Sequence, residues 1–166
     1  MNQPIASPSA TAPPSSPARV AVNWESVGVA YARLALGAAF LSAVASRFGL
    51  WDRTFDLKHF AGFLEYAGEV LAFMPRASVP YLATAATICE TFLGILLILG
   101  LWQRWVAMAS AVLLAMFATA MAISLGVKSP MDYSVYSASG AAVLLALHSC
   151  RKEQPLEQER ERCNHD

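Results

Sequence analysis

Four long apolar stretches, each close to the thickness of a bilayer, constrain this chain more than any other feature of its sequence. They cover approximately residues 27–46, 81–101, 106–126 and 133–149. A helix rises 1.5 Å per residue, so about 20 residues cross the ~30 Å hydrocarbon core of a membrane. Only 14% of the residues are charged, whereas a soluble domain carries about 25%. The sequence therefore predicts a multi-pass integral membrane protein.

The connection between the first two stretches has a different pattern. From about residue 56 to residue 73, apolar side chains recur every three or four positions, with charged residues largely between them. This periodicity predicts an amphipathic helix that lies in the membrane interface or caps the bundle. Pro75 and Pro80 are expected to end it and to redirect the chain. We therefore expect an all-α fold, an integral membrane antiparallel four-helix bundle with an additional amphipathic interfacial helix between spans one and two.

The two ends of the chain are expected to lie outside this membrane domain, which covers residues 27–149. Residues 1–26 are rich in Pro, Ser and Ala and have no apolar core of a signal peptide, which predicts a disordered arm. Residues 150–166 form a charged tail. Four spans place both termini on the same side, and Arg151 and Lys152 beside the last span favour the cytoplasmic side of a bacterial inner membrane.

Charge and cysteine content exclude several classes of function. The chain has 12 basic and 12 acidic residues, so nothing in its charge indicates nucleic-acid binding. Its 3 cysteines have no C-x-x-C spacing and predict neither a disulfide framework nor a zinc site. His59 and His148 occupy unlike positions, which does not favour a metal or haem site. We recognise no nucleotide loop or catalytic motif, so no catalytic residue is assigned.

A charged residue inside the second span is the leading candidate for a functional group. Glu90 is the only charge in residues 81–101, and an ionisable group at that depth costs a few kcal/mol and usually finds a partner. Thr87 lies on the same helical stripe. Arg33 interrupts the first span at a depth that differs from that of Glu90 by ~8 Å. We predict a polar core of Arg33, Thr87 and Glu90, with Arg33 paired to Glu90. The alternative is an Arg33 that reaches the headgroups beside a protonated Glu90.

A second polar group lies between spans three and four and is predicted to form a cavity mouth. It comprises Lys128, Asp132, Tyr133 and Tyr136. Asp132 stands where it would also cap the fourth helix. The two tyrosines share one helical face, as an aromatic belt or as a wall on which a quinone head group or another flat ligand would stack. The sequence therefore assigns no cofactor and is compatible with a quinone.

The order of several short motifs resembles the DoxX family of small four-helix bacterial membrane proteins. These motifs are RLALGAAFLSAVASRFGLW at residues 33–51, ETFLGILLILGLWQR at 90–104 and LGVKSPMDYSVYSASGAAVLLAL at 125–147. The resemblance implies a four-helix membrane fold and an association with membrane oxidoreductase complexes. Such complexes are quinone-linked or handle thiol and oxidative stress. A soluble oxidoreductase partner is the expectation that follows from it.

Three functions are consistent with these features. The first is an accessory inner-membrane subunit of a redox system, without catalysis of its own. The second is a small proton-coupled transporter that uses Glu90 as its protonatable group. The third is a membrane protein that recruits soluble partners through its tails. Small residues recur along the first span, including Gly28 and Gly37. They permit close helix approach within the bundle or in a homo-oligomer.

Overall fold

Six α-helices make up the described part of the chain, residues 23–52 and 56–163 of a computed structural model. No strand occurs within those residues. The helices are α1 (Trp24–Arg47), α2 (Leu57–Val70), α3 (Val79–Leu99), α4 (Gln103–Leu125), α5 (Lys128–Asp132) and α6 (Val135–Cys163). A short 3-10 turn at Leu50–Asp52 follows α1.

Local sequence signals set the ends of these helices. The side chain of Asn23 caps α1 by accepting a hydrogen bond from the Ser26 amide, and Asp56 caps α2 through the Lys58 amide. Pro80 lies in the first turn of α3, where an amide hydrogen would have no partner within the helix, so its absence in proline costs no hydrogen bond. Gly100 ends the same helix in the left-handed conformation, with φ 72°.

Three helices, α1, α3 and α4, are long and apolar enough to cross a membrane. Large apolar side chains cover their outer faces: Phe92 is 64% exposed, Val112 55% and Met116 63%. A surface of this kind is stable when it faces lipid rather than water. The chain is therefore a multi-pass membrane protein.

The long helices alternate in direction. Along α1, Gly37 lies against Gly94 of α3, whereas Arg47 reaches Glu90, nearer the start of that helix. We call the end where α1 and α4 begin and α3 ends the lower end, and the opposite end the upper end. α6 packs mainly along α4 and runs from the upper end to the lower end.

Two apolar clusters hold the helices together. The larger joins α1, α3, α4 and α6, and its buried members are Leu36, Phe40, Leu97, Val106, Ala107, Ala111, Ala142, Leu145 and Ala146. The smaller joins α2 to the start of α3 through Ala67, Val79 and Ala83. The amphipathic helix α2 therefore caps the upper end, which is one of the two positions that its periodicity allows.

Several boundaries differ from the sequence-based expectation. Residues 1–22 of the expected arm lie outside the described residues, and α1 already begins at Trp24. The connection at 127–132 contains the short helix α5, because Pro130 is buried against the bundle and fixes this turn. α6 continues through the charged segment to Cys163, with an apolar first half and a polar second half.

The docking of α2 gives a testable prediction. Ser124 of α4 donates a hydrogen bond of 2.7 Å to the carbonyl oxygen of Val70, the last residue of α2. We expect Ser124→Ala to weaken this attachment by about 1 kcal/mol and to speed hydrogen exchange of the α2 amides. Ser149→Ala is the matched control, because that hydroxyl bonds only within its own helix, to Leu145. Equal exchange of α2 in both variants would contradict the prediction.

Candidate functional site

The buried polar site lies between α1 and α3 in the upper half of the bundle. Arg47 Nη2 donates a hydrogen bond of 2.9 Å to Glu90 Oε1, and Nη1 donates one of 2.8 Å to Thr87 Oγ1. Nη1 also lies 2.5 Å from Glu90 Oε2. Oε2 accepts no hydrogen bond from the described residues, so its contact with Nη1 is electrostatic. Glu90 is only 2% exposed and Thr87 6%. The site is a desolvated ion pair with a hydroxyl beside it.

Helix geometry explains how these three side chains meet. Arg47 is the last residue of α1, and side chains on a helix lean back toward its N-terminus. Its guanidinium group therefore points down into the bundle instead of out toward the interface. Thr87 and Glu90 are three residues apart on α3 and share one face. Thr87 donates its own hydroxyl proton to Ala83, at 2.9 Å, so its oxygen is free to accept from Arg47.

Helix α2 covers this site with aromatic side chains. The Arg47 guanidinium carbon lies 4.0 Å from the ring centroid of Phe63, a cation–π contact. Phe60 stacks on Phe48, just beyond the end of α1, with ring centroids 5.7 Å apart. The charged pair is thus enclosed by α1, α3 and α2, and its side chains are 13% and 3% exposed.

The predicted pairing of Arg33 with Glu90 is wrong, because Glu90 is paired with Arg47. Arg33 lies at the other end of α3, where its guanidinium group packs against Gly100. The depths of Arg33 and Glu90 were close enough for contact, but the Arg33 side chain leans toward the start of α1, away from Glu90. Of the predicted polar core, the structure brings together Thr87 and Glu90 and places Arg33 apart from them.

The contact between Arg33 and Gly100 gives a second prediction. A Cβ atom at position 100 would collide with the guanidinium group, and φ 72° is itself unfavourable for alanine. We expect Gly100→Ala to lower the free energy of unfolding by about 1 kcal/mol or more. In an Arg33→Ala background the same change should cost less, because only the backbone strain is left. Thermal unfolding of the four proteins in detergent measures the difference, and identical costs in both backgrounds would exclude the contact.

The four residues of the predicted mouth lie together at the upper end, on α5 and the start of α6. Lys128 and Asp132 form an exposed ion pair of 2.6 Å. Asp132 does not cap α6, which begins only at Val135, after Ser134 with φ 53°. Tyr133 is 69% exposed and Tyr136 43%. These side chains therefore form an exposed polar and aromatic surface.

A tyrosine of α2 belongs to the same surroundings. Burial raises the pKa of Tyr66, and the neighbouring Tyr133 and Glu69 raise it further. This contact brings the α2 cap next to the surface formed by α5 and α6.

A groove of about 420 Å³ lies elsewhere, at the lower end, and is lined by Leu93, Trp102, Trp105, Val106 and Ala109.

Sequence reasoning missed the two residues that complete the buried site, Arg47 and Phe63. Arg47 directly follows the first apolar stretch, so the sequence pattern places it in the connection. The signal that would have found it is the direction of helical side chains, which turns an arginine at a helix C-terminus back along the helix. Phe63 is one of the apolar side chains that recur between residues 56 and 73, and its spacing alone does not indicate a contact with a charged group.

The described residues offer few groups for redox or metal chemistry. No cluster of three or more His, Cys, Asp or Glu side chains is close enough to hold a metal ion among the residues that the structure describes. Cys89 lies exposed on α3, and Cys150 is half-buried on α6. The arrangement is best suited to holding α1, α2 and α3 together around one buried ion pair.

Comparison with known proteins places the chain in a family. No curated protein and no solved structure matches it significantly. The matching family model is described as methylamine utilisation protein MauE, and it covers residues 25–132. That range contains α2 to α5, all of α1 except Trp24, and Arg47, Thr87 and Glu90 of the buried site. The match supports a small membrane-protein family, although not DoxX specifically. The chain belongs to the MauE family.

Proposed function

We propose that this chain is an accessory subunit of a membrane redox system and has no catalytic site of its own. The observation that carries the proposal is the family match, whose description names methylamine utilisation. The carbon of methylamine is highly reduced, so its use releases electrons that a membrane redox chain can accept. The motifs that resemble DoxX proteins favour the same role. We place the chain in the bacterial cytoplasmic membrane, with both termini in the cytoplasm.

The contacts of the buried polar residues support a structural role for them. Both oxygens of Glu90 are held by Arg47, and Arg47 is held in addition by Thr87 and Phe63. These groups connect three helices and are shielded from solvent. In this proposal the reaction belongs to a soluble oxidoreductase partner, and the chain supplies a membrane site for it. Tyr133 and Tyr136, exposed beside Lys128 and Asp132, would contact that partner or a quinone head group.

We further propose α6 as a fourth membrane span. Its apolar first half, residues 135–150, is long enough for ~24 Å of helix, and it packs against the membrane-spanning α4. Ser139 donates a hydrogen bond of 3.1 Å to Ala111 of α4, which satisfies a polar group within the bundle. Four spans would return both ends of the chain to one side of the membrane.

Deletion of the gene in its native host tests the redox role. The deletion strain should lose growth on methylamine and retain growth on succinate with ammonium. Its extracts should have lost amine-dependent reduction of an artificial electron acceptor, and a plasmid copy of the gene should restore both. Normal growth on methylamine would rule out the proposal. A growth defect with full amine oxidation in extracts would point to transport.

Transport is the second candidate, because Glu90 is a buried acid near the middle of a membrane-spanning helix. It requires water to reach a side chain that is 3% exposed, and hence requires α2 to move off the site. Uptake of radiolabelled methylamine by intact cells separates the two functions. Uptake that is lost on deletion and depends on the proton gradient would favour transport over the accessory role.

A further inference from the structure

Within the part of the chain that the structure describes, three buried nitrogen atoms at the lower end of the bundle have no hydrogen-bond partner. They are Arg33 Nε, Gln103 Nε2 and His148 Nε2. They belong to three different helices, and none of them is part of the ion-pair site at Arg47. Buried polar nitrogens normally have partners, so three at one end of a small bundle need an explanation.

The fold places these three residues around one rim. Arg33 packs against Gly100, and Gln103 begins α4 only three residues later. His148 Nδ1 lies 3.1 Å from Glu25 Oε1, in the first turn of α1. Members of the large apolar cluster lie close to these residues in the sequence, namely Val29, Val106 and Ala146. Arg33, Gln103 and His148 therefore lie beside that cluster, in the lower part of the bundle.

The chemistry of the rim favours an acceptor of hydrogen bonds with negative charge. The Arg33 Nε–H and the Gln103 Nε2 amino group are hydrogen-bond donors, and the arginine carries a permanent positive charge. Glu25 is the one acid of α1, but its side chain is 65% exposed and is already paired with His148. His148 Nδ1 faces that carboxylate, so its buried Nε2 is directed elsewhere.

The level of the rim in the membrane indicates which anion meets these groups. Trp102 and Trp105 are 76% and 70% exposed at the same end, and exposed tryptophans mark the depth of the lipid headgroups. Basic pockets between membrane helices at that depth bind anionic headgroups. We propose that Arg33, Gln103 and His148 form a binding site for the headgroup phosphate of an anionic phospholipid.

Native mass spectrometry of the full chain in detergent tests this site. We would titrate the protein with phosphatidylglycerol or with phosphatidylcholine and compare the occupancy of the first bound lipid. We expect phosphatidylglycerol to bind more tightly, and Arg33→Gln to weaken it about tenfold, since a charged hydrogen bond is lost. Arg76→Gln is the matched control. It removes an exposed positive charge in the connection before α3, at the upper end, and should leave the affinity unchanged.

The remaining measurements separate the site from simpler explanations. Equal weakening by Arg33→Gln and Arg76→Gln, or equal binding of the two lipids, would overturn the proposal. If sodium phosphate displaces phosphatidylglycerol and raises the melting temperature as much as the lipid does, the lipid assignment is overturned. Should Arg33→Gln fail to fold, Gln103→Leu is the second variant. It conserves side-chain size, removes one donor and should lower phosphatidylglycerol affinity several-fold.

Discussion

Replacing Glu90 with alanine is expected to lower the free energy of unfolding by about 3–5 kcal/mol, because Arg47 would keep a buried charge without a partner. The Arg47 side chain is 13% exposed and lies beneath Phe63, so it cannot regain full hydration without displacing α2. Glu90→Gln should cost less, because the amide oxygen still accepts a hydrogen bond, although the charge of Arg47 stays unbalanced. Reversible unfolding in mixed detergent micelles measures each change.

A double-mutant cycle separates the ion pair from the packing around it. Arg47→Ala and Glu90→Ala should be strongly non-additive, with a coupling of up to about 3 kcal/mol. Arg33→Ala combined with Glu90→Ala is the matched control, since Arg33 lies against Gly100 at the other end of α3. That pair should be additive within about 0.5 kcal/mol. Coupling to Arg33 instead of Arg47 would show that the pairing described for Glu90 is incorrect.

The membrane-spanning character of α1, α3 and α4 was predictable from the sequence, because length and apolarity alone determine it. The burial of Glu90 and its association with Thr87 were also predictable, since three-residue spacing places both on one helical stripe. The partner of Glu90 was not predictable in this way. Span boundaries predict an offset of ~8 Å between the depths of Arg33 and Glu90, but pairing depends on side-chain direction, which a comparison of depths leaves out.

The upper end was harder to predict because tertiary contacts determine it. Asp132 follows Pro130 and precedes a helix, which is the pattern of an N-cap, yet Pro130 is buried and a short helix forms around it. As a result, α6 begins at Val135 and not directly after Asp132. Conversely, the stripe of α2 predicted a helix that could cap the bundle. Its contact with the ion pair through Phe63 followed only once the position of Arg47 was known.

Gly37→Ala is expected to destabilise the bundle by about 1–3 kcal/mol, because α1 and α3 are closest at this position. A Cβ atom there would lie 2.7 Å from Ile98 Cγ1 and 2.8 Å from the carbonyl oxygen of Gly94. The isoleucine can change its rotamer, but the carbonyl belongs to the backbone of α3 and moves only if the helix moves. Close approach through small residues is a main source of helix association in membranes.

Other glycines of the chain differ in how closely they are packed, so the cost of their replacement by alanine can be compared with that at Gly37. Gly94→Ala should cost less than Gly37→Ala, because its nearest contact, at 3.1 Å, is the Leu41 side chain. Gly28→Ala is the control on the same helix. No atom of the described residues lies within 4 Å of its added Cβ, so it should be neutral or stabilising by up to about 1 kcal/mol. Unfolding in mixed micelles should therefore show the largest loss of stability for Gly37→Ala, a smaller loss for Gly94→Ala and the smallest for Gly28→Ala. If Gly28→Ala were as harmful as Gly37→Ala, the cause would lie outside the α1–α3 contact, and the exposed face of α1 would be the place to look for a second copy of the chain.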